Sequence, residues 1–209
     1  GFLDDYAFLI DALIEMLQVR WDSDWCGWAI ALTQQMIDRF EDETLGGFFF
    51  TPHDGESLMY RSKPLGDDAT PAGNAIAVNV LTTLGHLLGR TDWIDKAEKT
   101  LRWAASALKE YPQAHVTTLE SLQRHLAPPE MIVLRGTGEQ LTQWQRDVQS
   151  IYAPDRGVFA IPTAATDLDD ALAAHTAPES GVTAYVCQGL SCLAPVNEWS
   201  TLASIIRNR

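Results

Sequence analysis

Side chains capable of chemistry are concentrated in the stretch Gly46–Asn74, which reads GGFFFTPHDGESLMYRSKPLGDDATPAGN. Its adjacent acids Asp67 and Asp68 are matched by a second acidic pair, Asp4 and Asp5, close to the first residue. A carboxyl group held against a bound substrate can act as a general acid or base. We therefore predict that these four aspartates are the candidate catalytic residues.

Groups that suit substrate binding accompany the acids. They are hydroxyl, amide, imidazole and cationic side chains that can hold substrate hydroxyls or a carboxylate: Tyr6, His53, Tyr60, Arg61, Lys63 and Asn74. Amides exposed at helix N-termini would add partial positive charge beside them. The combination predicts a site for hydroxyl-rich or anionic small molecules, with a small carbohydrate as one such ligand.

Members of this set also have structural interpretations. The four aspartates suit helix N-terminal turns, where an acceptor oxygen and a negative charge are both favourable. Arg61 and Lys63 alternate along one predicted strand and can form ion pairs with those acids. His53 lies in the turn-like run Thr-Pro-His-Asp-Gly. The sequence leaves both interpretations open.

The elements that must position these residues are helices. Apolar residues recur at three- and four-residue spacing, which indicates amphipathic helices. The third helix is predicted to begin at Thr70-Pro71, because a capping threonine followed by proline is a typical start. The predicted helices cover residues 4–20, 24–41, 70–88, 92–111 and 114–126. Between the second and third helices, residues 46–64 are predicted to form a β-hairpin.

An internal repeat organises these helices. The segment LLGRTDWIDKAEKTL at 87–101 echoes QVRWDSDWCGWAIAL at 18–32, so that Trp93 falls in the register of Trp25. The repeated unit is a helical hairpin, and such units stack because one hairpin cannot bury its own apolar face. The first, third and fifth helices then run parallel. Their N-termini meet the 46–64 segment at one end, which we call the mouth.

The character of the sequence changes after residue 129. Short apolar runs at 131–134, 158–161 and 183–187 indicate strands, and residues 139–151 indicate a helix. Residues 162–181 are predicted to be a loop, and Asn197 or Ser200 caps a final helix that reaches about Asn208. We predict a mainly α fold in which residues 1–129 form a helical-hairpin array and residues 130–209 form a small β/α appendage.

Composition excludes several partners. The formal net charge is −13, which disfavours nucleic acid and anionic membrane surfaces because both are bound mainly by Lys and Arg. No apolar run approaches the roughly 20 residues that a membrane-spanning helix needs. Acidic residues in the first helix argue against a secretory signal. The sequence therefore predicts a cytoplasmic protein that binds neither nucleic acid nor membrane.

The cysteines give a weak signal. Cys26, Cys187 and Cys192 are few and odd in number, which suits a reducing compartment. The Cys187-x4-Cys192 spacing is not that of a thioredoxin-type site, and the sequence shows no nearby histidine to complete a zinc site. Small buried thiols are the favoured interpretation, with a disulfide or thiol redox chemistry as the alternative. Neither a metal nor a cofactor is predicted.

Four segments carry a family resemblance: LDDYAFLIDALIEM at 3–16, GGFFFTPHD at 46–54, DDATPAGNAIAVNVL at 67–81 and AYVCQGLSCLAPV at 184–196. They extend over nearly the whole chain, which resembles the C-terminal region of thioredoxin-domain-containing proteins of the YyaL and spermatogenesis-associated type. The resemblance implies part of an (α/α) toroid similar to N-acylglucosamine 2-epimerases and six-hairpin glycosidases. It also implies a thioredoxin-like domain elsewhere in the full-length chain. Histidines line the related toroids, and His53 is the candidate here.

Two functions of different classes follow from these observations. The first is a fragment of a toroid protein whose mouth binds or modifies a carbohydrate, by isomerase or hydrolase chemistry. The alternative is a non-catalytic scaffold or interaction module that serves the thioredoxin-like domain. Because a partial toroid leaves apolar inner-helix faces uncovered, the isolated fragment is expected to self-associate.

Overall fold

A computed structural model describes residues 1–56 and 59–207 of the chain. Its helices are α1 (Leu3–Val19), α2 (Ser23–Phe40), α3 (Gly73–Leu87), α4 (Thr91–Glu110), α5 (Val116–Leu126), α6 (Gly138–Gln149), α7 (Asp170–Ala173) and α8 (Trp199–Arg207). Its strands are β1 (Glu130–Gly136), β2 (Arg156–Pro162), β3 (Val182–Gln188) and β4 (Ser191–Cys192). Helices hold 53% of the residues, which confirms a mainly α fold.

The chain divides into two compact units. The first comprises Gly1–Ile14, Cys26–His86 and Arg90–Ala127, and the second comprises Glu15–Trp25, Leu87–Gly89 and Pro128–Arg209. The first unit is built from helices and the loop at the mouth. The second unit contains the sheet with α6, α7 and α8. In the described part of the chain, no helix combines the length and the hydropathy that crossing a bilayer requires.

Helix α3 is the centre of the first unit. Residues 73–85 are buried all round the helix, which is the pattern of a helix enclosed by other elements. The helix begins at Gly73 and not at Thr70, because the carboxylate of Asp67 accepts a hydrogen bond from the Ala72 N–H at 3.0 Å. Asp67, and not the predicted Thr70, therefore caps α3.

The N-termini of α1, α3 and α5 lie at one end of the first unit, as the hairpin repeat predicts. The Asp67 carboxylate that caps α3 also accepts from the Thr117 N–H at 2.9 Å, in the first turn of α5. Farther along, the Ser121 hydroxyl donates to the Ala75 carbonyl at 3.2 Å, so α5 follows α3 in the same direction. At the start of α1, the side chain of Asp4 fits against Gly73, where a Cβ would lie only 2.0 Å from Asp4 Oδ1.

The predicted β-hairpin at the mouth is wrong for the described residues of this loop. Phe48 forms an isolated bridge with Glu41, and the described residues of the segment contain no strand. The Asn74 side chain takes the place of a partner strand, because its amide bonds both the N–H and the C=O of Phe48 at 2.7 and 2.9 Å. Gly46 and Gly47 turn the chain with φ of 82° and 76°, which is backbone that glycine adopts without strain.

The second unit is a four-stranded sheet in the order β2-β1-β3-β4. Strand β1 pairs in parallel with β2 and antiparallel with β3, and α6 forms the crossover between the parallel pair. Ile132, Leu134, Ala184 and Val186 share one face of the sheet, which packs against apolar side chains of α6 and α8. The alternate residues of the same strands, among them Arg135, Tyr185 and Cys187, lie on the other face.

Most of the predicted C-terminal elements are confirmed. The three strand runs and the helix at 139–151 correspond to β1, β2, β3 and α6. The predicted loop at 162–181 contains the short helix α7, and strand β4 was not predicted, because elements of four and two residues carry no periodic pattern. The final helix, α8, is present, and its predicted end at Asn208 lies outside the described residues.

Candidate functional site

The structure gives Asp67 a structural role. Its two carboxylate oxygens bond the amides of Ala72 and Thr117, so one side chain caps two helices. Although burial acts in the opposite direction, the amides of Thr117 and Ala72 hold the pKa of Asp67 below its ordinary value. A carboxylate that is stabilised in its ionised form by two amides is poorly suited to act as a proton donor at neutral pH.

Lys63 and Asn74 are likewise committed to the fold. The Lys63 ammonium bonds Asp42 Oδ2 at 2.7 Å and the Gly46 carbonyl at 2.8 Å, and it lies 4.4 Å from the centroid of the Trp103 ring. Burial acts to raise the pKa of Asp42, but Lys63 and two backbone amides lower it overall. Asn74, besides pairing with Phe48, donates to the Pro64 carbonyl at 2.9 Å.

Other predicted binding residues hold the loop to its surroundings. Arg61 donates to the Thr51 carbonyl and lies over the Phe49 ring, 4.1 Å from its centroid. Tyr6 accepts a hydrogen bond from Arg39 at 2.7 Å through its hydroxyl oxygen. His53 is exposed and its backbone N–H bonds the Arg39 carbonyl.

Tyr60 and Asp68 are exposed at the surface. The Tyr60 ring is 79% accessible, so it does not line an enclosed site. Asp68 uses its backbone N–H to bond the Thr70 carbonyl, which makes it a turn residue.

Asp4 differs from the other predicted acids. Burial, reinforced by the charge of Asp5, raises the pKa of Asp4. Asp5 accepts from the Phe2 N–H at 2.8 Å and is exposed. Among the described residues, no hydrogen bond or ion pair joins either acid of this pair to Asp67 or Asp68. The helix N-termini and the loop thus meet at the mouth as predicted, but among the described residues no hydrogen bond or ion pair links the two acidic pairs.

Three polar residues recur along one face of α3, together with the apolar Ile76. Ile76, Asn79, Thr83 and His86 recur at three- and four-residue spacing and therefore share one face of the helix. The first three retain 7%, 7% and 9% exposure, and His86 is half-buried, whereas Ala77, Val78, Val80, Leu81 and Leu84 are 0% exposed. This face is where α3 comes closest to solvent.

Titratable side chains of α5 lie within electrostatic reach of His86 on this face and of Asp11 on α1. Asp11 of α1 is within electrostatic reach of Arg124 and Glu120 of α5, and His86 is within reach of His125. We call this group the inner seam: Asp11, Asn79, Thr83, His86, Glu120, Arg124 and His125. All seven belong to the first unit.

The electrostatics of the inner seam favour neutral forms of its acid and its base. Burial raises the pKa of Asp11, against the opposing charge of Arg124. Burial, together with the charge of His125, lowers the pKa of His86. Carboxyl and imidazole groups with perturbed pKa values are usual components of general acid–base chemistry.

Hydrogen-bonding capacity remains unused in the inner seam. Asn79 Oδ1 and His86 Nδ1 are buried atoms without a partner among the described residues of the protein, as is Thr82 Oγ1 on the adjacent side of α3. Buried polar atoms are nearly always hydrogen-bonded, so atoms that the protein leaves unpaired mark a place for water or a polar ligand. At the mouth, Asp67, Lys63 and Asn74 show the opposite pattern, whereas Thr51 Oγ1 of the same loop is also buried without a partner among the described residues.

The second unit contains a cluster that the sequence did not reveal. Cys187 and Cys192 form a disulfide, and a ring nitrogen of His175 lies with both sulfurs inside a 4.8 Å span. The interpretation as small buried thiols is therefore wrong, as is the expectation that no histidine is near. The reason is that β4 folds back on β3, while the α7 region returns His175 over the sheet.

A residue-level signal for the inner seam was present in the sequence. Polar residues at helical spacing within the apolar run AIAVNVLTTLGHLL mark a polar stripe on a buried helix. From the sequence alone, the position of His86 near the end of the helix favours a structural interpretation. The partners on α1 and α5 are distant in sequence, and only the packing of the three helices shows them.

The fold and its sites define a helical-hairpin protein with a polar seam between parallel helices and a small β/α unit. No protein-family model matches the chain. The chain is 26% identical over 213 residues to spermatogenesis-associated protein 20 of Homo sapiens, covering 99% of this chain and 27% of that protein. The Mus musculus protein of the same name is 25% identical over the same length and coverage. An uncharacterized protein of Caenorhabditis elegans is 27% identical over 200 residues, covering 94% of this chain and 27% of that protein.

The chain thus matches the C-terminal region of the spermatogenesis-associated protein 20 family, which confirms the resemblance carried by the four quoted segments. It spans about a quarter of the length of these relatives.

Proposed function

We propose that the inner seam binds a small hydroxyl-rich molecule of the carbohydrate class and that Asp11 and His86 exchange protons with it. The observation that carries this proposal is the polar face of α3, where Asn79 Oδ1 and His86 Nδ1 have no protein partner among the described residues. Sugars present alternating hydroxyl donors and acceptors, which match an amide oxygen and an imidazole nitrogen.

The shifts of the two groups are in the directions that suit proton exchange. Burial raises the pKa of Asp11 and lowers the pKa of His86, which makes the carboxyl a better proton acceptor and the imidazolium a better proton donor than in water. Arg124 and Glu120 beside Asp11 would orient substrate hydroxyls. This arrangement is that of an isomerase or hydrolase acting on a polar substrate.

In this proposal the helices of the first unit belong to a larger helical architecture. Parallel α1, α3 and α5, with α4 of the second hairpin packed outside them, would be a part of an (α/α) toroid, and the inner seam would line its lumen. The shared Asp67 cap and the Ser121–Ala75 bond support the parallel order of α3 and α5. In this proposal, segments of the longer relatives supply further helices.

Ligand titration of the isotope-labelled chain tests the proposal. Glucose, N-acetylglucosamine, N-acetylmannosamine and glucuronate are added separately, and backbone amide shifts are followed by NMR. We expect one of these probes to shift the amides of α3 around Asn79 and His86. Asp11→Asn should weaken binding at least about tenfold, which corresponds to the loss of one hydrogen bond.

Asp38→Asn is the matched control, because Asp38 is an exposed aspartate of α2 in the same unit. It should leave binding unchanged. Shifts confined to the mouth loop, or equal binding by Asp11→Asn and the wild type, would refute the seam as the site.

A non-catalytic scaffold is the second candidate function. The observation in its favour is that Asp67, Lys63, Asn74 and Arg61 all make contacts that hold the loop and helices together. This alternative predicts that no sugar binds and that seam substitutions leave partner association unaffected. Pull-down of a separately expressed thioredoxin-like domain of a relative would measure that association.

A further inference from the structure

We propose that Cys187 and Cys192, once reduced, bind a Zn²⁺ ion together with His175. The three ligand atoms already lie within 4.8 Å of one another. In a tetrahedral zinc site with Zn–S of about 2.3 Å and Zn–N of about 2.0 Å, ligand atoms are about 3.3–3.8 Å apart. Opening the disulfide and moving the imidazole by about 1 Å brings all three to that separation.

The backbone fixes both sulfurs. Cys187 of β3 and Cys192 of β4 are direct cross-strand partners, and Gln188 pairs with Ser191 next to the turn. Gly189 starts the two-residue turn with φ of 60°, the left-handed backbone that such hairpins require. Because the hairpin and not the disulfide sets this pairing, the thiols stay adjacent after reduction.

The imidazole is held over the sheet by its neighbours. The His175 ring packs against the Tyr185 ring at 4.5 Å between centroids. The Tyr185 hydroxyl donates to the carbonyl of Thr176, the residue that follows the histidine, at 2.9 Å. Nδ1 of His175 is buried and has no hydrogen-bond partner in the described protein. The packed ring therefore has a nitrogen atom that the protein leaves available as a ligand.

The donor set selects the metal. Two thiolates and an imidazole favour Zn²⁺ over Mg²⁺ or Ca²⁺, which prefer oxygen ligands. Cys187 is buried and Cys192 is exposed, so the ion would enter from the Cys192 side. Three protein ligands leave the fourth position for water or a substrate, as in catalytic zinc sites.

Charge balance is favourable. Arg135 lies on the same face of the sheet, because it pairs with Thr183 two positions before Tyr185. Its Nε and Nη1 atoms are buried without partners in the described chain. The two thiolates neutralise the charge of one Zn²⁺ ion, so the ion with its ligands adds no net charge beside the Arg135 guanidinium.

The proposed site couples zinc binding to the redox state. A dithiol reductant transfers two electrons and two protons to the disulfide, which yields two thiols and the oxidised reductant. Zinc binding then releases both thiol protons as the Zn–S bonds form. Oxidation by a disulfide re-forms the Cys187–Cys192 bond and removes the two thiolate ligands, so the ion dissociates.

Cobalt substitution tests this proposal directly. A Cys26→Ala baseline variant removes the remaining thiol, which is buried on α2. The protein is reduced with a phosphine, desalted without oxygen and titrated with Co²⁺ alone. We expect one equivalent to produce the visible bands of tetrahedral cobalt and a near-ultraviolet thiolate charge-transfer band, both abolished by Zn²⁺ or by prior oxidation.

His175→Gln separates the proposed site from a simple dithiol chelator. It should weaken Co²⁺ binding by about 100-fold or more, since even outer-shell changes cost 10- to 100-fold. His53→Gln, at an exposed histidine of the other unit, should bind like the baseline. Circular dichroism verifies that each variant is folded. Absence of tetrahedral bands in the folded, reduced baseline, or unchanged affinity in His175→Gln, would overturn the proposal.

Discussion

The mouth loop Gly46–Asn74 and the inner seam are both rich in polar side chains, but they use them in opposite ways. In the loop, Asp67, Lys63 and Asn74 bond backbone groups or a buried counter-ion. In the seam, Asn79 and His86 keep buried atoms that no described protein group pairs. These three loop residues have committed their polar groups to folding, whereas the seam has hydrogen-bonding capacity left for a ligand.

The contrast gives a criterion for separating polar residues that stabilise the fold from polar residues that can bind a ligand. A high density of polar residues in a sequence does not show whether those residues are already paired. Pairing lowers the free energy of the fold, whereas an unpaired buried group costs free energy that a ligand can recover. Substitutions in the two regions should therefore change different measurements.

Lys63→Met should cause the largest loss of stability. The Lys63–Asp42 pair is nearly enclosed, with 11% and 10% of the two side chains accessible. Removing the cation leaves Asp42 buried without its counter-ion, which costs about 3 kcal/mol in the free energy of unfolding. Urea denaturation measures the change. The exposed i,i+4 pair Arg102–Glu98 provides the control, since Arg102→Ala should cost less than about 0.5 kcal/mol. Equal losses for the two variants would contradict the structural role of Lys63.

Asp67→Ala should be the next most destabilising change. It removes the acceptor for the Ala72 and Thr117 amides and so uncaps α3 and α5 together. We expect a loss of about 2–3 kcal/mol in the free energy of unfolding. Asp68→Ala, at the exposed neighbouring position, should remain within about 0.5 kcal/mol of the wild type. If Asp68→Ala is the more damaging variant, the assignment of the cap is wrong.

Unlike the two loop substitutions, Asp11→Asn should not destabilise the fold. The raised pKa of Asp11 means that folding disfavours its ionised form, so the carboxylate opposes folding at neutral pH. A neutral amide of the same shape should leave thermal stability equal to or slightly above that of the wild type. Differential scanning calorimetry at pH 7 makes the measurement. A loss comparable to that of Asp67→Ala would place Asp11 among the structural residues.

The smallest expected effect concerns the pH dependence of stability. The pKa of His86 is lowered in the fold, so the neutral form stabilises the folded state. That contribution is complete above the unfolded pKa of about 6.5 and is lost as the pH falls through the lower folded pKa. His86→Gln should therefore flatten the stability profile below pH 6.5 by less than about 1 kcal/mol, because the ring is half-exposed.

The His86 experiment requires a second variant. His175 of the other unit also has a lowered pKa, through burial and the charge of Arg135, and contributes with the same sign. Profiles of His86→Gln, His175→Gln and the double variant should therefore show additive flattening, since the residues lie in different units. An unchanged profile in the double variant would show that neither imidazole is disfavoured in its charged form.

The positions of the helices and the longer strands can be predicted from the amino-acid sequence alone. The spacing of apolar residues located the five helices of the array and three of the strands within a few residues. The hairpin repeat also predicted that the first, third and fifth helices begin at one end. These features depend on periodic patterns within one segment, which a single sequence displays.

The role of each polar residue, by contrast, becomes visible only in the tertiary structure. Asn74 pairs with Phe48 across 26 positions, and Asp67 caps α5 across 50 positions. His175 lies beside the cysteine pair, and His86 lies within electrostatic reach of His125, through packing that no local pattern shows. The physical reason is that helix and strand propensities act over neighbouring residues, whereas hydrogen-bond pairing and desolvation depend on groups that the folded chain brings together from distant positions.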